Sequence, residues 1–395
     1  MKILIVHNDY GKYSGEEAVV DKMAAMLSGH GHCVSQLRMT SAGKRETVAG
    51  KISGFVSGIY SRSGVSAMRE ALRREKPDVV NIHNLYPFIS PAALFECRKA
   101  GVPVVMTVHN FRLICPTGLF MRDNKPCELC LERGDEWGCV RYNCEHSIMK
   151  SVGYAARNAV ARLTGAYKKN VTAFACITSF QRGKLIEAGF DPDKIVVIPN
   201  SVDVAAPGDA AAAEHCEPEG GYVGFCGRLS REKGVDMIVE VARRHPDIEF
   251  RLAGAVRDAE LVEALPSNVH LTGYVTGEAL HDFYRNARFC VMASRCYEGF
   301  PMSILEAAQY SKAMIAPDHG GFTEIIGKGE TAIGRLFMPG DVDSLEHQVV
   351  EMWNDAAGCV RLGARSLEKL KNNYSSEVVY NRWEQLLGKL NQMHA

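Results

Sequence analysis

The sequence predicts an α/β chain of two doubly wound, Rossmann-like domains facing across a cleft. Three observations carry that expectation. Strand-length apolar runs alternate with helical patterns in two successive series, residues 2–198 and 221–316. A length of 395 residues suits two domains, each able to bury its own core. Between the series, residues 203–220 are rich in Ala, Pro, Gly and Glu and lack periodicity, which reads as an interdomain linker.

Lys2–His7 is an apolar first strand. Gly15–Leu27 has helical spacing in Val19, Met23, Met26 and Leu27, and Gly29 and Gly31 end it. Cys33–Leu37 is a strand, Val65–Arg74 a helix, Pro77–Ile82 a strand and Pro91–Lys99 a helix. Val102–Val108 is a β-branched strand ending at His109. Ala173–Ile177, a helix over Phe180–Ala188 and Ile195–Ile198 close the first series, so the N-terminal domain spans 1–202. In the second domain, 221–374, the expected strands are Gly221–Cys226, Glu249–Ala253, Val269–Gly273, Phe289–Ala293 and Ala313–Ala316. Its expected helices are Gly234–Arg244, Gly277–Asn286 and Met302–Gln309. Apolar strands separated by helices imply parallel sheets covered on both faces. The tail, 375–395, repeats Val379, Trp383, Leu386, Leu387 and Leu390 at helical spacing, and its stripe is expected to pack back on the N-terminal domain.

A hydrophobic content of 46% against 23% charged residues excludes a disordered chain. No apolar run reaches the roughly 18–20 residues of a membrane span. The apolar start is too short for a signal peptide, so a reducing cytoplasm is expected, with thiols or metal ligands rather than disulfides. Net charge is zero but uneven. Residues 1–200 hold about 27 Lys/Arg against about 18 Asp/Glu, roughly +9, and the remainder is roughly −9. A basic first half suits anionic headgroups or a phosphate-bearing acceptor. Few aromatics interleave its basic residues, which argues against nucleic acid.

In doubly wound sheets ligands sit beyond the C-terminal strand ends, where His109, Gly227 and Ser294 fall. Gly227-Arg228-Leu229-Ser230-Arg231-Glu232-Lys233-Gly234 places two cations after a strand, suited to a diphosphate. Glu298-Gly299-Phe300-Pro301-Met302-Ser303-Ile304-Leu305-Glu306 places two carboxylates around a turn that opens a helix. Glu298 lies in the loop and Glu306 in the helix, so each meets a ligand from its own element. Carboxylates hold sugar hydroxyls, and the N–H groups of Met302, Ser303 and Ile304 are the unpaired donors at a helix start. The ligand inferred from these groups is a nucleotide-diphosphate sugar.

These segments, with Gly273-Tyr274-Val275 and Val108-His109, resemble the retaining glycosyltransferases of the GT-B fold, family 4 (glycosyl transferases group 1), in order across essentially the whole chain. The resemblance implies transfer of a sugar from a nucleotide-diphosphate sugar with retention, and no metal for catalysis. It implies that Arg228 and Lys233 bind the diphosphate, Glu306 the ribose and Glu298 the donor sugar near its anomeric centre. Phe300, Pro301, Met302 and Ser303 would supply backbone contacts, Val275 and its neighbours would line the base pocket, and His109 would reach the donor sugar. In the first loop, Tyr13-Ser14-Gly15-Glu16-Glu17 carries one glycine and two acids where the family usually has paired glycines; Gly15 would keep the helix-start role. The acceptor would be a saccharide or a polyprenyl-linked saccharide, in surface polysaccharide or glycoconjugate assembly. The alternative is an inactive nucleotide-sugar-binding or regulatory protein of the same fold.

Residues 115–146 form a Cys-rich insertion, with Cys127-Glu128-Leu129-Cys130 a C-x₂-C knuckle. The expected structural zinc ligands are Cys115, Cys127, Cys130 and Cys144, with Cys139 or His146 as substitutes. Lys150–Asn170 interleaves Val152, Tyr154, Ala155, Val160 and Leu163 with Arg157, Arg162, Lys168 and Lys169, the pattern of an interfacial helix. Lys44–Lys76 adds basic residues around Phe55, Val56, Ile59 and Tyr60. Together they suggest peripheral docking on an anionic inner membrane face.

Overall fold

The computed structural model describes residues 1–10, 14–40, 57–203 and 221–394. The linker expected at 203–220 and the basic stretch 44–56 lie almost wholly outside these residues, as does Tyr13. The chain divides into two compact units. The first comprises residues 1–120, 128–200 and 379–395; the second comprises 121–127 and 201–378.

The first unit opens with β1 (Lys2–Asp9), α1 (Gly15–Gly29) and β2 (Cys33–Thr40). Next come α2 (Arg62–Glu75), β3 (Val79–Asn84), α3 (Leu94–Lys99) and β4 (Val104–Val108). A two-stranded hairpin, β5 (Met121–Arg122) with β6 (Lys125–Pro126), is grouped with the second unit. After it run α4 (Leu129–Arg133), α5 (Trp137–Arg141), α6 (Ile148–Thr164) and α7 (Ala166–Asn170). The strands β7 (Ala173–Cys176) and β8 (Ile195–Val197), with α8 (Ser179–Glu187) between them, finish the six-stranded parallel sheet, ordered β2-β1-β3-β4-β7-β8.

Strand alternation divides this core into two layers. Leu4, Val6, Val80 and Ile82 point to one face and pack with Met68, Leu72 and Phe174. Ile3, Ile5, Val79 and Val105 point to the other, where Val20, Met23 and Leu27 of α1 cover them. The terminal helix α15 (Ser376–His394) adds Val379, Trp383, Leu386, Leu387 and Leu390 to that second layer. Trp383 is 2% exposed.

The second unit builds its own parallel sheet. It contains β9 (Tyr222–Cys226), α9 (Val235–Arg244), β10 (Phe250–Ala253), β11 (Val269–Gly273) and α10 (Glu278–Asn286). Then follow β12 (Ala287–Val291), α11 (Met302–Gln309), β13 (Met314–Pro317), α12 (Gly320–Ile326) and β14 (Gly334–Phe337). The sheet order is β11-β10-β9-β12-β13-β14. Two further helices, α13 (Val342–Asn354) and α14 (Ala356–Asn373), follow. The start and end of this unit are stitched together: Val202 N–H donates to the Tyr374 carbonyl at 3.1 Å, and Ser376 Oγ donates to Asp203 Oδ1 at 2.6 Å.

In the interfacial reading of Lys150–Asn170, the placement of the cations needs correcting. Arg157 is buried, with its guanidinium 4.3 Å from the Tyr86 ring centroid and 4.0 Å from that of Tyr154. It donates to the Pro116 carbonyl at 2.8 Å. Arg162 pairs with Glu136, and Lys168 donates to the carbonyls of Ala188 and Gly189. Three of the four cations assigned to a lipid-facing surface are therefore engaged within the protein. An arginine stacked on aromatic rings is already served where it sits.

Candidate functional site

In the second unit the strand ends β9 and β12 bring the motif residues together. After β9, Arg228 leaves the sheet, and a 3₁₀ turn, Arg231–Lys233, leads into α9 through Gly234. Gly234 has φ +70°, and a Cβ there would lie 2.0 Å from the Ala293 carbonyl oxygen. Only glycine lets this turn press so closely on the chain after β12. That contact sets Lys233 beside Glu298. Lys233 Nζ forms an ion pair with Glu298 Oε1, and Ser294 Oγ donates to the same oxygen at 2.8 Å. Gly321 N–H donates to the Glu298 carbonyl at 3.1 Å, fixing the loop from below. His319 bonds to the Ser294 carbonyl through Nε2 at 3.0 Å.

The electrostatics of this pair are decided by contact. Burial pushes the Glu298 carboxyl up, but Lys233 and the Ser294 hydroxyl outweigh it and hold the group below its ordinary range. Burial works against Lys233 too, and Glu298 reverses it, so the ammonium titrates above its usual range. The pair is therefore charged at neutral pH although little of it meets solvent. Arg228 is half exposed and forms an ion pair at 2.8 Å with the largely buried Glu232. Arg295 grips Asp236 with two bonds of 2.6 and 2.7 Å and braces the same loop, a role the sequence did not reveal.

The remaining donor-side residues are spread around this centre. Glu306, inside α11, accepts from Tyr284 Oη at 2.7 Å. Ser303 is buried at the helix start, whereas Ile304 N–H already donates to the Pro301 carbonyl at 3.1 Å. Of the three amides expected to be open, the one at Ile304 is thus engaged. Phe300 is buried against Tyr374, with ring centroids 5.5 Å apart, so its side chain packs rather than projects. Pro301 caps α11 without a side-chain bond, and Met302 is half-buried. Val275 is half-buried in the loop after β11, next to an exposed Tyr274.

In the first unit a second polar group gathers where β1, β3 and β4 end. His109 Nε2 lies 2.7 Å from His83 Nδ1, with the rings stacked at 5.0 Å. His7 is fully buried, its ring centroid 6.4 Å from that of His83, and neither of its nitrogens has a hydrogen-bond partner. Its Nε2 is 3.7 Å from Asp9 and its Nδ1 3.9 Å from Glu16. Tyr10 Oη donates to Glu16 at 3.0 Å. Burial lowers His7 and His109 to about 4 and His83 well below its usual range, so all three imidazoles are neutral at pH 7.

Ser14 and Glu17 close a capping box around Gly15, the first residue of α1. One of the two acids that stand where a glycine was expected is thus a cap, and the other, Glu16, belongs to the histidine group. His7, His83 and Glu16 were missed from the sequence. The signal was present: a His-Asn pair stands at or next to the end of each of these strands, as His7-Asn8 in β1, His83-Asn84 in β3 and His109-Asn110 just after β4. Asn8 and Asn84 lock the ends, since Asn84 Nδ2 donates to the Asn8 carbonyl at 2.9 Å and Asn8 Oδ1 accepts from Phe88 N–H at 2.9 Å.

In the insertion, Cys115, Cys130, Cys139 and Cys144 belong to the first unit, while Cys127 ends the segment grouped with the second.

Comparison with known proteins follows the same division. Residues 13–206 match the family described as Glycosyltransferase Family 4, and residues 220–355 match Glycosyl transferases group 1. An uncharacterized 42.6 kDa protein of the Klebsiella pneumoniae cps region is 26% identical over 82% of this chain and 87% of its own length. The lipopolysaccharide core biosynthesis mannosyltransferase LpcC of Rhizobium leguminosarum is 28% identical over 46% of this chain and 56% of its own. Sucrose-phosphate synthase from Thermosynechococcus elongatus superposes with a TM-score of 0.72, at 16% identity, over 98% of both chains. Anabaena Alr3699/HepE, solved in complex with UDP, superposes at 0.66 with 15% identity over 98% of this chain and 100% of its own. At these identities the structural likeness is one of fold.

Proposed function

Since the chain belongs to the family 4, group 1 glycosyltransferases, we propose that it moves a sugar, with retention, from a nucleotide-diphosphate sugar to a saccharide or lipid-linked saccharide. The observation that carries the donor assignment is the largely buried, charged Lys233–Glu298 pair at the ends of β9 and β12. A cation held in a site poor in water meets an anion far more strongly than an exposed one does. As the donor bond breaks, charge gathers on the departing diphosphate, and Lys233 with Arg228 stabilises it there. Glu298, fixed by the bonds of Lys233 and Ser294 to its Oε1, takes the sugar hydroxyls, and Glu306 takes the ribose. Val275 and the open amides at the start of α11 complete the donor contacts. No chain carboxylate is needed as nucleophile: the leaving diphosphate takes the acceptor proton on the same face. A UDP-bound structural neighbour and a lipopolysaccharide-core relative support a nucleotide-sugar donor and a role in surface polysaccharide or glycoconjugate assembly.

Transfer to a saccharide acceptor followed by ¹H NMR tests the stereochemistry. The product is expected to keep the anomeric configuration of the donor; an inverted product contradicts the mechanism. Absence of both transfer and donor hydrolysis across a panel of donors would favour the inactive binding protein instead.

Peripheral membrane docking belongs to the same proposal. Along α6, Met149, Val152, Val160 and Leu163 form an exposed apolar stripe, Leu163 being 73% exposed, and Lys150 and Lys169 remain exposed nearby. The protein is expected to float with anionic liposomes, and Leu163→Asp to weaken flotation several-fold. No flotation at low salt removes this part.

A further inference from the structure

Five cysteines lie between β4 and α6, outside the donor contacts described above. We propose that four of them, Cys115, Cys130, Cys139 and Cys144, bind a zinc ion that ties the insertion to the loop carrying His109 and Arg112. The chain approaches this point from three directions. Cys115 closes a turn just after Arg112, its N–H donating to the Phe111 carbonyl at 2.8 Å. Cys130 lies on α4, and its sulfur sits against Gly138, where a Cβ would be only 3.4 Å away. Cys139 lies on α5, its thiol donating to the Ser151 carbonyl at 3.9 Å, and Cys144 N–H folds back to the Cys139 carbonyl at 3.1 Å, which sets the two residues side by side. Cys115 and Cys130 are near enough to act electrostatically on Cys139. All four are free thiols.

Four sulfurs with no carboxylate among them suit zinc in a closed tetrahedral site. The surroundings also call for a cross-link. The helices α4 and α5 have five residues each, neither has a side-chain cap, and α4 buries no residue. Helices this short do not hold themselves. Among the described residues, the ligand-type atoms already within 4.8 Å of one another are those of His7, Asp9 and Glu17, where Glu17 serves the α1 cap and Asp9 faces Arg38. Ligation would therefore draw the sulfurs inward. The ligand set also revises the knuckle reading. Cys139 replaces Cys127, because Cys139 follows Gly138, against which the Cys130 sulfur packs, and Cys144 N–H returns to the Cys139 carbonyl.

The test is metal analysis of the full chain purified without chelator, together with cobalt substitution and thiol alkylation with and without chelator. About one equivalent of zinc is expected, with a thiolate-to-cobalt charge-transfer band and four thiols that react only after chelation. Cys115→Ser and Cys139→Ser are expected to lower metal content several-fold, whereas Cys127→Ser keeps it. The wild-type cobalt spectrum and alkylation count stand even if a variant fails to fold. Less than about a third of an equivalent of metal overturns the proposal. So does iron with acid-labile sulfide, or loss of zinc from Cys127→Ser with retention in Cys139→Ser.

Discussion

Lys233→Ala is expected to lower the turnover number about 10²- to 10³-fold, the range for removing one preorganised charge from a developing anion. The loss should fall on kcat more than on KM, because diphosphate charge peaks as the donor bond breaks. The same change destabilises the protein, since Glu298 is left buried without its cation. Breaking a fully buried pair from one side costs about 3–5 kcal/mol, which is the upper bound for this partly accessible one. The double variant Lys233→Ala/Glu298→Gln separates the two effects. It is expected to regain most of the melting temperature and none of the activity. Arg228→Ala should cost less stability, because Arg228 is itself half exposed. Release of nucleoside diphosphate, followed beside a thermal melt, gives both readings. Unchanged turnover in Lys233→Ala would sink the donor assignment.

The histidine group predicts acid sensitivity. His7 and His109 sit near 4 in the folded chain, and His83 lies well below its usual value. All three titrate near 6.5 when unfolded. Between those limits the unfolded chain binds more protons, so stability is full above about pH 6.5 and falls as pH drops towards 4. The combined loss is on the order of several kcal/mol. Burial raises Asp9 and Glu16 in the fold, and their titration works in the opposite sense and offsets part of it. His83→Asn isolates the histidine contribution, because asparagine keeps a hydrogen bond to His109 and does not titrate. Its stability is expected to fall less steeply between pH 6.5 and 4.5, read from denaturant midpoints at fixed ionic strength. Equal slopes in the two proteins would contradict the buried, neutral state of the group.

Most strands of both sheets were legible because they are buried on both faces and read as unbroken apolar runs. Val104–Val108 and Tyr222–Cys226 are examples. The terminal helix was legible for a similar reason: Trp383 and its neighbours repeat at helical spacing. Lys233 and Glu298 were found because Gly234 and the Gly299-Phe300-Pro301 turn mark local geometry. What stayed hidden depends on distant parts of the chain. Arg157 looks like a lipid-facing cation until Tyr86 is placed over it, and Tyr86 is far off in sequence. His83 looks like the polar end of a strand until β4 sets His109 beside it. Ile304 N–H looked open because a helix start leaves amides unpaired, and the Pro301 carbonyl claims it. The helices α13 and α14 went unread because they lie beyond the last strand the alternating pattern had marked.

The seam between Val202 and Tyr374, and the return of residues 379–395 to the first sheet, have a consequence for biogenesis. When the ribosome has made the first 200 residues, one side of that sheet still lacks Trp383, Leu386 and Leu390. At ~5–20 residues per second the missing cover arrives only after roughly ten to forty seconds. A nascent N-terminal half is therefore a client for chaperones, and a truncation before residue 379 would strand greasy surface in water instead of trimming a dispensable end. An isolated first lobe should become soluble only when the closing segment is spliced to it, for instance ahead of Met1 in a rearranged chain.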